Sequence, residues 1–511
     1  MKKIKIKTAL VSVSDKEKLE ELADYFFKNN VHVISSGGTF EHLKKSNYKL
    51  RLTEVSSYTN FQEILNGRVK TLHPLIHAGI LADKNKISHK NQLDKLNINP
   101  IDLVIVNLYP FENTIKKKST ESKCIENIDI GGPSLIRGAA KNFKSVVVVT
   151  SPSQYNALIE EANKNDNYIS FDLRKKFATE AFKHTAYYDA VIASWFDKNN
   201  KIYQSTKTTL PLKKITNLRY GENPHQKAAI FFLGNDKIQK VSGKDLSYNN
   251  INDLEIAFEL ANNFKKNSCV IVKHGNPCGV ALDNKQVNAY KKALKCDPVS
   301  AFGGIVAFNK KLDEQTSTEI LKIFTEVVIA PDFSSNAKKL LSQKKNLILI
   351  RYNKNKLTNK LSIKSTNNFL LIQDKDLKKI DQKKLKFMTD KPNKKVINDM
   401  NFAFTVAKFI NSNAIVIAKN LSTIGIGVGQ TSRIDSAEQA IKRMNDNFGK
   451  IQGVLASDGF FPFPDIIKIC AKNNILNIIQ PGGSLNDDLV IQEAEKQKVN
   501  LVFTGTRHFK H

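Results

Sequence analysis

Lys273 and His274 stand where an apolar β-branched run, Val270-Ile271-Val272, gives way to Gly275-Asn276-Pro277. The run predicts a buried strand and the Gly/Asn/Pro residues a turn. The pair therefore falls at the carboxyl end of a strand, where open α/β sheets bind ligands. A lysine beside a histidine sets a fixed cation next to a group that titrates near neutral pH. That combination can take a proton from a nucleophile and support the charge that develops. An ordinary polar loop after a core strand accounts for the stretch equally well, so the rest of the chain has to decide.

Other stretches carry chemistry of the same kind. Val31–Ser35 reads as a strand that runs into Ser36-Gly37-Gly38-Thr39 and then a helix. Strand, Gly-rich turn and helix form a cradle for phosphate on backbone N–H groups; an unoccupied tight turn has the same pattern. Arg68, Lys70 and Thr71 put two cations and a hydroxyl within four residues, as a site or as a surface charge cluster. Tyr109 follows an apolar strand, Leu103–Asn107, and Asp129 precedes Gly131-Gly132-Pro133-Ser134. That break starts a helix with Arg137 and Lys141 one turn apart on one face. Asn217–Gln226, which holds Arg219 and Tyr220, is a dense polar loop whose ordering costs entropy unless it serves a purpose. Gly425–Arg433 is Gly-x-Gly-x-Gly rather than the G-x-G-x-x-G of dinucleotide sites, which argues against a nicotinamide cofactor. Phe460, Phe461 and Phe463 form either core or a platform for a flat heterocycle. Thr506–His511 ends the chain after a buried strand, Val499–Phe503, that holds this tail to its domain.

The elements that position these residues alternate. Strands at Thr8–Val13, Val31–Ser35, Leu103–Asn107 and Ser145–Thr150 are separated by helical patterns, the first opening near Ser14-Asp15 and carrying Leu19, Leu22, Ala23 and Phe26. This predicts a mostly parallel, doubly wound α/β sheet. Helices over Arg174–His184 and Tyr188–Asp197 close the domain near residue 198. The polar stretch 199–214 reads as a linker to a second α/β region, 215–511, with a surface excursion over about 353–395. At 511 residues the chain is long enough for about three or four domains. Its formal charge of +30 comes from lysines scattered through Lys/Asn-rich stretches; it suits polyanionic small substrates, and no nucleic-acid module accompanies it. Five widely spaced cysteines form no C-x-x-C pair and imply reduced, buried thiols. No apolar run reaches the ~18 residues of a membrane span, and the basic N-terminus has no apolar signal core. A cytoplasmic protein is expected.

The motifs together resemble the bifunctional purine-biosynthesis family that joins AICAR transformylase to IMP cyclohydrolase. Ser-Val-Ser-Asp-Lys, Ser-Gly-Gly-Thr, Arg-Val-Lys-Thr-Leu-His-Pro, Asn-Leu-Tyr-Pro-Phe and Ile-Asp-Ile-Gly-Gly follow one another in the first half. Arg-Tyr-Gly-Glu-Asn-Pro-His-Gln, Lys-His-Gly-Asn-Pro-Cys-Gly, Ser-Asn-Ala-Ile, Gly-Gln-Thr-Ser-Arg, Phe-Phe-Pro-Phe and Arg-His-Phe-Lys-His follow in the second. The resemblance runs nearly end to end. It implies a methylglyoxal-synthase-like domain followed by two cytidine-deaminase-like α/β sub-domains. It implies formyl transfer from 10-formyltetrahydrofolate, as co-substrate, to the 5-amino group of AICAR, then closure of the formyl product, FAICAR, to IMP with loss of water.

By the same resemblance, Lys273 and His274 carry formyl transfer, and Lys70, Tyr109, Asp129 and Lys141 form the cyclohydrolase group. Ser12, Lys16, Ser36, Gly37, Gly38, Thr39, Arg68 and Thr71 match its nucleotide loops. Arg219, Arg433 and Arg507 suit bidentate phosphate recognition. Tyr220 belongs to the first motif of the second half, Asn413 and Phe460 match contacts to the AICAR amide and ring, and Asp465 matches a position near the folate. Pro464 stands where the family has arginine. A homodimer is implied, and a monovalent cation is left open. Zinc is not expected: a zinc deaminase needs H-x-E and P-C-x-x-C, whereas His274-Gly275-Asn276 has no glutamate and Pro277-Cys278 is followed three residues later by Ala281, not cysteine. A basic nucleic-acid-binding protein, and an enzyme retaining one of the two activities, are the alternatives.

Overall fold

The computed structural model describes residues 3–197, 205–232, 239–352 and 361–511. It divides into two compact units, Met1–Lys213 and Lys214–His511. Residues 199–204 of the expected linker, and 353–360 of the expected surface excursion, lie outside the described residues.

In the first unit, β-branched runs flanked by Gly and Ser build a five-stranded parallel sheet. Its order is Arg51–Glu54, His32–Ser35, Thr8–Val13, Leu103–Asn107, Val147–Val149. All four pairings are parallel; four of the strands are largely buried, as continuous apolar runs require, and the polar edge strand Arg51–Glu54 is partly exposed. Chain order reverses between the central strands Thr8–Val13 and Leu103–Asn107, so their carboxyl ends flank a topological switch point. The first helix departs from expectation: it begins at Leu19, not near Ser14. The amides of Ser14 and Asp15 that would open it are taken by Asn107 Oδ1, at 2.6 and 2.8 Å. Residues 171–196 form one 26-residue helix, Phe171–Phe196, where two segments were expected. His184 to Tyr188 contains no Gly or Pro to break it.

The second unit holds a 12-stranded mixed sheet. From one edge to the centre run Gln239–Ser242, Ile348–Arg351, Val327–Ala330, Ile305–Phe308, Asn267–Lys273 and Asn276–Asp283. From the other edge run Lys386–Phe387, Asn500–Phe503, Asn477–Gln480, Val454–Ser457, Ile415–Lys419 and Ser422–Gly427. The two halves repeat one plan: an antiparallel edge strand, three parallel strands, then an antiparallel hairpin at the centre. They meet through Ala281 opposite Ser422 and through Thr423 Oγ1, which accepts from Val280 N at 2.9 Å. The helices Tyr248–Asn262 and Lys394–Ala407 pack on one face over a core shared by both halves. Gln286–Cys296 and Arg433–Phe448 cover the other face, one for each half. Glycines let these last helices lie close to the hairpins. A Cβ at Gly279 would collide with the Ala293 carbonyl, and one at Gly427 with that of Ser436. Within the excursion, Leu361–Ser365 and Leu370–Asp374 form a separate two-stranded hairpin.

The expected strand end at Lys273 is a hairpin. Gly279 lies inside the return strand, and Lys273 pairs with Asn276 across a two-residue turn. Both turn residues have positive φ, 53° at His274 and 76° at Gly275, the requirement of a type I′ hairpin.

Candidate functional site

In the first unit the expected residues gather at the carboxyl edge of the parallel sheet. Ser12 is the last residue but one of the central strand, in register with Val106, and Val13 and Asn107 end the two strands side by side. The Ser36-Gly37-Gly38-Thr39 segment opens the helix Gly37–Lys44, with Ser36 at the N-cap position but its side chain making no cap hydrogen bond. Thr39 Oγ1 fixes the segment to the central strand, accepting from Val13 N and donating to Val13 O, each at 3.0 Å. Gly37 is in the left-handed region at φ 52°, and a Cβ there would sit 2.5 Å from Lys70 Nζ. A Cβ at Gly38 would sit 3.6 Å from Lys16 Nζ. Two ammonium groups therefore lie over a Gly-Gly helix start, where backbone N–H groups and the helix dipole already favour an anion.

The loop that carries Lys70 bridges to a second helix start. Thr71 Oγ1 lies 3.0 Å from where a Gly131 Cβ would be, at the head of the helix Gly131–Lys141. Asp129 stands just before that helix: its Oδ1 accepts from Gly132 N at 2.8 Å, and its own N–H donates to Tyr188 Oη at 2.9 Å. Burial raises the Asp129 carboxyl above the usual carboxylate range, opposed by backbone N–H donors from Gly132 and Tyr109. Burial likewise pushes Tyr188 up to about 12. Lys70 is paired with Glu63 at 2.6 Å. Tyr109 is 52 % exposed beside this group. Arg68 lies on the surface in a forked pair with Glu126, at 3.3 and 2.5 Å, and Lys141 is the last residue of its helix.

In the second unit the His274 turn is one end of a continuous polar network. Lys273 Nζ donates to the Phe302 carbonyl at 2.7 Å. Asn276 Oδ1 accepts from Asn411 N at 3.0 Å, and Lys510 Nζ donates to the carbonyls of Gly275 and Phe409 at 3.3 and 3.1 Å. Ser412 N in turn donates to Lys510 O at 2.9 Å, while its hydroxyl donates to Asp458. Asn413 is held on both sides. Its Oδ1 accepts from Arg433 Nη2 at 2.7 Å, and its Nδ2 donates to the Gln430 and Thr431 carbonyls. The Arg433 guanidinium is itself buried in an ion pair with Asp458 and a 2.9 Å bond to Ser457 Oγ. It orients Asn413 rather than standing open to a phosphate. Arg507 is exposed, its guanidinium 4.4 Å over the Phe509 ring. Phe460 is half-buried next to Gly459, and Asp465 opens the helix Asp465–Lys472 with Pro464 at its cap. Arg219 lies 5.6 Å over the Tyr220 ring, apart from this network. Its loop is tied instead to Asn249, which donates to the Glu222 carbonyl at 3.3 Å.

Two families of known sequence match these units. The MGS-like domain matches residues 18–134, and the AICARFT/IMPCHase bienzyme matches residues 139–443. A "bifunctional purine biosynthesis protein PurH" from Thermoanaerobacter sp. is 46% identical over 99% of this chain and 100% of its own. Those of Caldicellulosiruptor saccharolyticus and Fusobacterium nucleatum are 45% and 44% identical, each over 99% of this chain and 100% of their own. This chain belongs to the AICARFT/IMPCHase bienzyme family. A solved structure titled for ForH matches 37% of this chain and 99% of its own at 28% identity, with a TM-score of 0.32, too low to bear on the fold.

The MGS-like match covers the switch-point cluster from Ser36 to Gly132 but begins after Ser12 and Lys16; the bienzyme match takes in the His274 turn, Asn413 and Arg433. The sequence reading missed three residues that the geometry brings forward. Asn107 ties the two central strands together at the switch point. Asp253 accepts from the amides of His274 and Gly275, at 3.1 and 2.6 Å. Lys510 reaches the same turn from the tail. A signal for Asp253 existed: Ile251-Asn252-Asp253 recurs as Ile397-Asn398-Asp399. No helix among the described residues is long and apolar enough to cross a membrane.

Proposed function

We propose that this chain carries out both family reactions, formyl transfer on the second unit and ring closure on the first. What supports the assignment is that most of each expected residue set lies toward one edge of one sheet, with Arg68 on the surface, Lys141 at the far end of its helix and Arg219 apart from the second network. Cations and helix starts meet at the switch point of the first unit. A lysine–histidine turn meets an oriented amide in the second.

In formyl transfer, the 5-amino nitrogen of AICAR attacks the formyl carbon of 10-formyltetrahydrofolate. The bond from that carbon to N10 of the folate breaks, and a proton passes from the amine to the leaving nitrogen. The amine is a weak nucleophile because its lone pair is drawn into the imidazole ring, so removing its proton matters. His274 takes that proton, and Lys273 supports the negative charge on the formyl oxygen. Asn413, with its amide direction fixed, contacts the substrate carboxamide. Arg507 and Arg219 are the exposed guanidinium groups suited to phosphate, and Phe460 and Asp465 lie toward the ring and folate.

In closure, the carboxamide nitrogen attacks the formyl carbon already attached to the same molecule, and water leaves. Proximity supplies much of the rate. Lys16, Gly37, Gly38 and Thr39 hold the phosphate, Lys70 polarises the formyl oxygen, and Asp129 handles a proton, a role its raised pKa suits. Tyr109 and Lys141 complete this group, with Ser12, Ser36, Arg68 and Thr71 in the nucleotide loops. The two halves of the second unit are the two cytidine-deaminase-like sub-domains, and the enzyme works in the cytoplasm as a homodimer. The test is reciprocal: His274→Ala should lower formyl transfer by about 10²–10⁴ and leave closure of supplied FAICAR unchanged, whereas Lys70→Ala should do the reverse. Loss of both activities in either variant would refute the division.

A further inference from the structure

The turn that carries His274 has a counterpart in the other half of the sheet. Asn420-Leu421 joins Ile415–Lys419 to Ser422–Gly427, with φ of 53° and 57°. Asp399, on the helix Lys394–Ala407, accepts from both turn amides: Asn420 N at 2.8 Å and Leu421 N at 2.7 Å. Asp253, on the matching helix Tyr248–Asn262, does the same for His274 and Gly275. The carboxylate precedes the first turn residue by 21 positions in both halves. Each time one oxygen serves each amide, and two consecutive left-handed residues are held by a charged acceptor. A non-glycine residue in that region is strained, and charge-assisted hydrogen bonds from the two amides offset that strain. In the second half this device only closes a buried hairpin. In the first half it fixes the backbone from which His274 projects. There the Gly275 carbonyl accepts from the Lys510 side chain at 3.3 Å, whereas the matching Leu421 carbonyl accepts from the backbone amide of Leu282 at 2.9 Å.

We propose that Asp253 and Lys510 are positioning residues for formyl transfer: they clamp the Gly275 peptide from its N–H and C=O sides and so set the reach of His274. This rests on the reading of His274 as the group that takes the proton. Losing either arm frees the turn to move by a fraction of an ångström or more, and a misplacement of 1 Å costs about a hundredfold in rate.

The test compares Asp253→Asn and Lys510→Met with Asp399→Asn, which breaks the same bond pair in the half without the histidine. All are made in the full-length chain and assayed for formyl transfer below their melting temperatures. Asp253→Asn and Lys510→Met should lower kcat about ten- to a hundredfold with the KM for AICAR little changed, and Lys510→Arg, which keeps a donor in reach, should recover most of the loss. Asp399→Asn should lower the melting temperature and leave kcat within about twofold. In a His274→Ala background the Asp253→Asn and Lys510→Met losses should vanish, because there is no imidazole left to place. Unchanged kcat in both variants, or the same fold-loss with and without His274, overturns the clamp while leaving the role of His274 standing. Near-normal transfer by His274→Ala alone overturns both.

Discussion

Gly37→Ala tests the closure site with one methyl group. The residue sits at φ 52°, so any side chain incurs the left-handed cost of about 1–2 kcal/mol. The new Cβ would stand 2.5 Å from Lys70 Nζ and 3.3 Å from its Cε. Ordinary contact begins at 3.4 Å, so the ammonium must retreat by about 1 Å. It is the far end of a flexible side chain, so the retreat adds little to the loss of stability. Against a domain stability of about 5–15 kcal/mol the unit stays folded. Catalysis is more sensitive. In the proposed role Lys70 polarises the formyl oxygen only at hydrogen-bond distance, and an error of 1 Å costs about a hundredfold. The variant should therefore convert FAICAR to IMP about a hundredfold more slowly, followed by absorbance. Its formyl transfer should be unchanged. Closure within twofold of the parent chain, with the melting curve shifted only by the backbone cost, would show that Lys70 does not act from its place over Gly37.

Asp129→Asn should trade activity for stability. Burial raises the Asp129 pKa in the folded state, so its proton stabilises the fold below the unfolded pKa, and that stabilisation is lost as pH rises through the folded pKa. At pH 7 the ionised group opposes folding. The asparagine should raise the melting temperature at neutral pH, with the advantage closing as pH falls through the folded pKa, and closure should fail. No advantage at neutral pH would contradict the burial argument. The five thiols are buried; burial pushes Cys278 and Cys296 up to about 12 and Cys269 and Cys470 up as well. Ellman's reagent should therefore react with none at the rate of a free thiol until guanidinium is added, and one fast native thiol would refute this. Sedimentation should give a mass near twice 57.5 kDa; a fully active monomer would refute the homodimer.

Much of the first unit was legible because its strands are local signals. Val147–Val149 and Leu103–Asn107 are apolar runs that need no distant partner to be recognised, and the alternation with helices fixes parallel pairing. The helix start near Ser14 was misread because its competitor, the Asn107 side chain, lies 93 residues away, beyond any capping rule. The His274 turn was misread for a related reason. Val270-Ile271-Val272 announces a strand, yet nothing local says whether the next strand returns at once. The N–H groups that would reveal a type I′ turn belong to His and Gly rather than to Asn-Gly. Asp253 was invisible as an isolated carboxylate on a helix and becomes visible only through the repeated Ile-Asn-Asp.

That repeat also explains where the second site lies. The pairings alternate so that the His274 turn and the Asn420 turn point to opposite edges of the sheet. The edge with His274 is also the carboxyl edge of the parallel strands Val454–Ser457, Asn477–Gln480 and Asn500–Phe503 from the other half. Asp458 and the tail from Thr504 to Lys510 issue from those strand ends. The rule that ligands bind at carboxyl ends therefore holds for the partners of His274 though not for the turn itself. Each half supplies one edge with a hairpin and the opposite edge with strand ends, which makes two equivalent edges from one plan. Only one of them received a histidine at the first turn position and a lysine from the tail on the second. Both turns are held through their amides by a carboxylate and through the second carbonyl by a donor, but at the His274 edge that donor is the side chain of Lys510 from the tail, and at the opposite edge it is the backbone amide of Leu282.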